Sequence, residues 1–323
     1  MSSDSRFTGF AIALAWPETF CKQPGSWYDS LMNKTGISIN HYYKAGHAAL
    51  LLIDAETGKT HYFDFGRYHA PFGKGRVRSA FTDHGLATKV KPVISKNGDE
   101  IENISALLSE LQNNEEYHGD GRLHASYCRI NFDKAFNKAT KLQEMSPINY
   151  GPFKYKGNNC SRFVNDVISA GRPDFRIAFR LKYFVPLTPT PISNVKALGK
   201  TYIIEKTRHY TPFYPEKALP QKMLHSTLPQ PERHPEIPEN ALWLSGEGAG
   251  SWFHISTFEN QFQIKRYNKD GQKECEGVFK IKDDKTFNIE LPYSFAHLSH
   301  CNQVKVIQNN VELDFILTEI IQG

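Results

Sequence analysis

The chain has 323 residues, 40% of them hydrophobic and 13% aromatic, which is enough apolar material for one large core and a second, smaller one. A net charge of +5 without a concentrated basic stripe or a stacking platform argues against nucleic acid as a partner. Five cysteines, odd in number and without a Cys-x-x-Cys pair, argue against a disulfide framework and a structural zinc site.

The first predicted element is a buried strand, Phe10–Trp16, within an apolar run that begins at Phe7. This run is too short to span a bilayer, and Asp4 interrupts the basic region that a signal peptide needs. The run also ends in Trp16-Pro17-Glu18, where a signal peptide would carry small residues. We therefore expect a cytoplasmic protein without stable membrane insertion.

A β-hairpin is predicted next, from the strand segments His47–Ile53 and His61–Phe65. A four-residue loop, Ala55–Gly58, would close it with Gly58 in the left-handed conformation and would pair Asp54 with Lys59. This turn defines the register of the whole hairpin.

In that register Ala49 faces Asp64, so His47 and Asp64 become diagonal neighbours on one face, and Gly66 leaves room beside them. A histidine oriented by a second polar group is the arrangement that activates a nucleophile. If the turn differs by one residue, His61 replaces Asp64 beside His47. The alternative to a catalytic role is that His47 is a structural residue whose ring nitrogens find hydrogen-bond partners inside the sheet.

The segment Arg67–Arg78 leaves the hairpin as a basic stretch rich in glycine and aromatic residues. We expect a loop that overhangs the site as a lid or as a clamp for an anionic group, because arginine favours bidentate contacts with carboxylate or phosphate. Arg67 and His69 would then bind substrate. A solvated loop without this role is the alternative.

Two amphipathic helices follow in the pattern of apolar residues. One contains Ile101, Ile104, Leu107, Leu108 and Leu111, and the other contains Phe132, Ala135, Phe136, Ala139 and Leu142. Together with the strands before them, these helices indicate an α+β domain.

The segment Tyr150–Val164 predicts a loop that runs into a helix, with Asn158 or Asn159 as the N-cap and Gly171 as the stop. Cys160 then lies in the first turn, where unpaired N–H groups and the helix dipole favour a thiolate. The same amides could donate to the oxyanion formed when a thiolate attacks an acyl carbon. A free cysteine on the apolar face of a helix is also commonly a small core residue.

The chain changes character after two proline-rich stretches, Pro186–Pro191 and Pro229–Pro238. Beyond the second stretch, short alternating runs such as Phe262–Ile264, Val278–Ile281 and Val304–Ile307 predict a small antiparallel β domain. We expect a catalytic domain over residues 1–228, an exposed linker over 229–240 and the β domain over 241–323.

Two segments resemble the NlpC-type cysteine peptidases, which share the papain-like fold. Tyr150-Gly151, followed by Asn159-Cys160-Ser161-Arg162-Phe163-Val164, is similar to the tyrosine, glycine-rich loop and Asp-Cys-Ser-Gly-hydrophobic motif of that family. Gly46-His47 and the following strand resemble the histidine strand of the family, but this histidine precedes the cysteine. The order is that of circularly permuted relatives, such as lecithin:retinol acyltransferase-like proteins and uncharacterised bacterial hydrolases.

The resemblance implies a permuted papain-like domain, an antiparallel sheet with packed helices, in which Cys160 is the nucleophile and His47 the base. A polar third residue on the next strand, for which Asp64 is favoured, would orient the histidine. Tyr150 would line the site, and Ser161 beside the nucleophile is a further candidate for substrate binding. Two departures from the family motif are Asn159 in place of aspartate and Arg162 in place of glycine.

The resulting hypothesis is a bacterial cysteine hydrolase, an amidase, peptidase or esterase, that acts through a thioester acyl-enzyme. It predicts no cofactor and no metal, since there is no HExxH motif and His41 and His47 do not share a helix face. The substrate would be a small molecule, a peptide or a lipid. The alternatives are an acyltransferase with the same site, a non-catalytic binding module on the same fold, and a metallohydrolase.

Overall fold

A computed structural model describes residues 6–23, 25, 29–36, 38–117, 119–151, 154–186, 189–206, 211–283 and 285–321. The helices are α1 (Asp29–Lys34), α2 (Ile104–Asn113), α3 (Phe132–Glu144), α4 (Cys160–Ala170), α5 (Phe175–Tyr183) and α6 (Pro191–Leu198). The strands up to the proline-rich linker are β1 (Gly9–Trp16), β2 (Cys21–Lys22), β3 (Ser38–Ile39), β4 (Tyr42–Tyr43), β5 (His47–Asp54), β6 (Thr60–Gly66), β7 (Lys74–Ser79), β8 (Leu123–Ile130), β9 (Ile148–Asn149) and β10 (Tyr202–Ile204).

The strands after the linker are β11 (Leu242–Leu244), β12 (Ser251–Phe258), β13 (Gln261–Tyr267), β14 (Lys273–Ile281), β15 (Ser294–Phe295), β16 (Gln303–Gln308) and β17 (Val311–Ile320). They form one antiparallel sheet in the order β11-β12-β13-β14-β17-β16-β15. Because β11 also approaches β15, the sheet nearly closes into a barrel. Its interior is filled by side chains such as Phe253, Phe279 and Phe315.

The first half of the chain is built on a seven-stranded antiparallel sheet in the order β10-β8-β1-β5-β6-β7-β9. Helices α3, α4 and α6 pack on one face of the sheet, and α2 packs on the other. Both faces of β1 and β5 are therefore buried, which explains their nearly continuous apolar sequences. The chain is thus an α+β fold followed by a small β domain, as predicted.

The predicted hairpin has the register that the sequence implies. Ala49 faces Asp64 in the β5–β6 ladder, and Gly58 is left-handed with a φ of 66°. His61 instead faces Leu52, so the alternative register with His61 beside His47 is excluded. Both amphipathic helices are also present, except that Ile101 precedes α2 and forms an isolated bridge with Ile94.

The predicted loop over Arg67–Arg78 is present only over residues 67–73, and the prediction is wrong for the rest of the segment. Residues Lys74–Ser79 form strand β7, which pairs with β6 in the central sheet. The alternation Lys74-Gly75-Arg76-Val77-Arg78-Ser79 is a strand pattern in which the arginines occupy buried positions and find acidic partners. A buried charge is tolerated in a sheet when it is paired in this way.

Residues 229–240, predicted as the linker, contain turns but no helix or strand, and most of their side chains are exposed. The first proline-rich stretch falls partly on residues 187 and 188, which lie outside the described residues, and Pro191 begins α6. Residues 152 and 153 of the predicted loop before α4 also lie outside them. The domain limits at residues 228 and 241 stay predictions.

The β domain contacts the first part of the chain through buried charged groups. Asp83 accepts hydrogen bonds from Arg76 on β7 and from Arg266 on β13, at 2.8 and 2.9 Å. His69 contacts the Ser251 hydroxyl at 2.7 Å, and Arg67 pairs with Glu247. The pairs Asp83–Arg266, His69–Ser251 and Arg67–Glu247 thus join residues that are far apart in the sequence.

Candidate active site

Cys160 is the first residue of α4, as predicted. The side chain of Asn159 caps the helix by accepting a hydrogen bond of 2.8 Å from the Arg162 N–H. The apolar face formed by Phe163, Val164 and Val167 anchors the helix on the sheet, where all three are fully buried. The sulfur is thereby fixed at the positive end of the helix dipole, where a thiolate is stabilised.

His47 is the first residue of β5 and lies at the end of the sheet that the start of α4 reaches. Its ring stacks on Trp16, its neighbour on β1, with centroids 5.8 Å apart and planes 23° apart. Trp16 is itself held by a hydrogen bond of 2.7 Å from its indole N–H to Gln112 on α2. A packed ring on one side thus restricts the orientation of the imidazole.

Asp64 lies beside His47, on the same face of the hairpin. The Asp64 Oδ2 is 3.6 Å from the His47 Nε2, which is longer than an ordinary hydrogen bond and makes this an electrostatic contact. Tyr62 donates a hydrogen bond of 3.1 Å to the same oxygen. Arg78, which faces Asp64 from β7, donates to both carboxylate oxygens.

The pKa values of the cysteine and the histidine are shifted towards an ion pair. Burial raises the pKa of Cys160, but its contact with His47 and the N–H of Ala48 outweigh burial, so the pKa is lowered. Burial alone would lower the pKa of His47, but Asp64 and Cys160 outweigh it and raise the pKa to about 9. Both shifts therefore act in the direction of a thiolate paired with an imidazolium.

Neighbouring cations also hold Asp64 in its charged form. Burial would raise the pKa of this carboxyl group, but Arg78 and His47 outweigh burial and hold the pKa well below its usual range. Asp64 is therefore an anion at any pH at which the protein would work. Its negative charge favours the protonated form of His47.

Tyr150 and Ser161 also lie close to Cys160. The Tyr150 ring stacks on Phe65 with centroids 5.6 Å apart, and burial raises its pKa well above the usual value, so its hydroxyl stays protonated. The Ser161 hydroxyl is 3.8 Å from the sulfur, but the side chain is buried. The roles of both residues in substrate binding stay predictions.

Arg67 and His69 do not lie on a lid. The Arg67 guanidinium is buried, pairs with Glu247, donates to the Lys22 carbonyl and lies 5.1 Å from the centre of the Tyr150 ring. His69 is buried between Ser251 and Arg76. Because their polar atoms are occupied by other parts of the chain, these contacts favour a structural role for both residues over the predicted contact with substrate.

Sequence reasoning missed several residues around the site. Arg78 could have been found from its alternation with Arg76, but Trp16 and Cys21 carried no local signal. Cys21 places its sulfur 3.8 Å from the Gly46 carbonyl, next to His47, and burial raises its pKa to about 11. The prediction that Gly66 leaves room beside His47 and Asp64 is also wrong, because a Cβ at Gly66 would lie 2.2 Å from the Tyr68 ring.

A cavity of about 470 Å³ opens elsewhere, between the sheet of the first domain and the β domain. His61, Phe136, Gln143 and His300 line it, and neither Cys160 nor His47 does. Within the described ranges no group of three or more His, Cys, Asp or Glu side chains could hold a metal ion. Nor does any described helix combine the length and the apolar character needed to cross a membrane.

Comparisons with known proteins match two family models to different parts of the chain. The family model described as type VI secretion system effector TseH-like matches residues 11–176, which contain all three predicted catalytic residues. Residues 241–318 match the model of the DUF6695 C-terminal domain. A crystal structure of the type VI secretion system effector TseH is similar at 19% identity and a TM-score of 0.38, over 62% of this chain and 100% of that one. No curated protein matches the chain.

Proposed function

The chain belongs to the TseH-like family of type VI secretion system effectors, and we propose that it is a secreted effector that acts as a cysteine hydrolase on a permuted papain-like fold. The observation that carries the proposal is the pairing of Cys160, at the start of α4, with His47, at the start of β5, with pKa shifts that favour thiolate and imidazolium. As an effector, the protein would be cytoplasmic only before its secretion.

The proposed reaction follows from a proton that is carried by His47 and not by Cys160. The Cys160 thiolate attacks the acyl carbon of an amide or ester, and the carbon–nitrogen or carbon–oxygen bond breaks as His47 gives its proton to the leaving group. The neutral imidazole then takes a proton from water, whose oxygen attacks the thioester. Release of the carboxylic acid returns the thiolate and the imidazolium.

The surrounding groups support this cycle. The backbone N–H groups of Cys160 and Ser161 at the start of α4 have no helix carbonyl to bond and could donate to the oxyanion of the tetrahedral intermediate, whereas that of Arg162 is bonded to the Asn159 side chain. Asp64 would stabilise the imidazolium, while Trp16 holds the ring in one orientation. Tyr150, whose hydroxyl stays protonated, is the candidate donor to the substrate.

The proposal is tested by labelling the full chain with a panel of acyl electrophiles and mapping the modified residue by mass spectrometry. We expect modification of Cys160, and none of Cys128, whose pKa burial raises to about 12. His47→Ala should abolish the labelling at neutral pH, whereas His61→Ala, at the far end of the same hairpin, should not change it. Modification of Cys21 with Cys160 untouched would overturn the proposal.

A second measurement separates hydrolysis from acyl transfer. Once an ester or amide that labels or turns over is found, product analysis is repeated with an added amine or alcohol. A hydrolase yields the free acid in both reactions, whereas an acyltransferase yields the new amide or ester. Cys160→Ala serves as the control for both reactions.

A further inference from the structure

Helix α5 exposes a stripe of aromatic side chains. Phe175, Phe179 and Tyr183 recur every four residues and are 76%, 43% and 61% exposed, and Phe184, directly after the helix, is 72% exposed. The Phe179 ring centre is 4.8 Å from that of Tyr183 and 5.8 Å from that of Phe184. A contiguous exposed apolar patch of this kind marks an interaction surface.

Positive charges flank this α5 aromatic stripe. At about 100° per residue, Arg176 and Arg180 lie along one side of it and Lys182 along the other. Arg172 precedes the helix, and all four cations are exposed. The acidic residue nearby, Asp174, caps the helix by accepting a hydrogen bond of 3.0 Å from the Arg176 N–H.

The opposite side of α5 is anchored in the core. Leu181 is buried, Ile177 packs against the main core, and the Leu181 carbonyl accepts a hydrogen bond of 3.2 Å from Asn165 on α4. The aromatic rings therefore protrude from a fixed helix. Their exposure is a property of the folded protein, because rotation of the helix would expose core residues instead.

We propose that α5 binds the surface of an anionic phospholipid bilayer, with the aromatic stripe inserted at the interface and the four cations on lipid phosphates. A bilayer accepts protruding rings without a complementary pocket, and basic residues beside exposed aromatics are the composition of interfacial helices. The helix has nine residues and is about 14 Å long, so it would lie along the surface. A second copy of the chain fits poorly, because it would bring like charges together.

The test is cosedimentation of the full chain with vesicles of neutral phosphatidylcholine and with vesicles that also contain anionic phosphatidylglycerol. We expect binding to the anionic vesicles that weakens as salt is added. Replacing Phe175, Phe179 and Tyr183 together by Ser should lower the binding roughly tenfold or more. Arg176→Glu with Arg180→Glu should remove the preference for anionic vesicles.

The matched control replaces Leu31, Phe81 and Val311 by Ser, three side chains of similar exposure (60%, 63% and 46%) elsewhere on the surface. This variant should bind as the unaltered chain does, and circular dichroism shows whether each variant is folded. Absence of vesicle binding, equal binding to both vesicle types, or equal binding by the aromatic variant would each overturn the proposal. Equally tight binding to soluble polyglutamate would also overturn it, in favour of an acidic protein partner.

Discussion

Arg78 faces Asp64 across the β6–β7 ladder and donates to both of its oxygens, from Nε at 3.0 Å and from Nη2 at 2.6 Å. The Arg78 guanidinium also lies 3.7 Å from the centre of the Tyr68 ring. Arg78 is thus a second cation, besides the imidazolium of His47, that pairs with the Asp64 carboxylate. Asp64 therefore has two tasks, to compensate a buried arginine and to favour the imidazolium of His47.

This pair should behave as one unit in stability measurements. Arg78→Met leaves a buried anion and Asp64→Asn leaves a buried cation, so we expect each to lower the free energy of unfolding by about 3–5 kcal/mol. The double variant should lose less than the sum of the two, because no charge is then left unpaired. Urea denaturation of the three variants measures the coupling.

The surface pair Arg129 and Asp99, whose side chains are about two-fifths exposed, provides the control. Arg129→Met should cost less than about 1 kcal/mol, since water screens that pair. Losses for Arg78 and Asp64 that simply add would show that the two groups stabilise the protein independently, against the coupling inferred from their hydrogen bonds.

The pH dependence of thiol reactivity should report the ion pair. Because contact with His47 lowers the pKa of Cys160 below its ordinary value of 9.0, alkylation of Cys160 by iodoacetamide should reach half its maximal rate below pH 9. In His47→Ala the burial of the sulfur acts without the imidazolium, so the midpoint should move to higher pH. A midpoint that does not move in this variant would contradict the pairing of the two residues.

Turnover should fall at high pH for a separate reason. His47 has a pKa of about 9, so above that pH it loses the proton that the leaving group needs. The hydrolysis rate should therefore decline with a midpoint near pH 9, while alkylation of the thiolate does not decline. Asp64→Asn removes one group that raises this pKa, so the decline should begin at lower pH.

Gly66 should be intolerant of a side chain because of Tyr68. A Cβ at Gly66 would lie 2.2 Å from the Tyr68 ring, so Gly66→Ala must displace the ring from Arg78. We expect a loss of about 1–3 kcal/mol in unfolding free energy and slower labelling of Cys160. Gly66→Ala combined with Tyr68→Ala should recover part of the stability.

Gly58 in the hairpin turn is the control for this substitution. Its φ of 66° makes Gly58→Ala strained by about 1–2 kcal/mol, but nothing lies within 4 Å of the added Cβ. Gly58→Ala should therefore lower stability without changing the labelling rate of Cys160. Equal effects of both substitutions on labelling would show that Tyr68 does not matter for the site.

The positions of Cys160, His47 and Asp64 were predictable because local rules determine them. The turn at Gly58 and the two-residue period of strands define the hairpin register, and the Asn159 cap defines the start of α4. Two local features, the hairpin turn and the helix N-cap, are therefore enough to place these three residues.

Partners that are distant in the sequence could not be predicted in this way. Arg67 pairs with Glu247, 180 residues further along, and the arginine-rich segment was interpreted as a loop because no local feature reveals an acidic partner. The same applies to Trp16, whose contact with His47 depends on the pairing of β1 with β5. The exposure of the aromatic side chains of α5 could not be predicted either, because their spacing is also compatible with a buried helix face.

The contact between the two halves of the chain should depend on Asp83. This buried carboxylate accepts from Arg76 and Arg266, and Asp83→Asn would leave two buried arginines with one fewer anion. We therefore expect Asp83→Asn to lower the free energy of unfolding by about 3–5 kcal/mol, measured by urea denaturation. Asp314→Asn, in a more exposed pair with Lys305, should cost less than about 1 kcal/mol.

Acid titration of the same variants tests the electrostatic cause. Burial would raise the pKa of Asp83, but Arg76 and Arg266 outweigh burial and hold it well below its usual value. A depressed carboxyl pKa stabilises the fold above the unfolded value of about 3.9, and this stabilisation is lost only as the pH falls towards the lower folded value. The difference in stability between the unaltered chain and Asp83→Asn should therefore stay constant from pH 7 to pH 5 and shrink below pH 4. A difference that already shrinks between pH 7 and pH 5 would mean that Asp83 is not held as an anion by the two arginines.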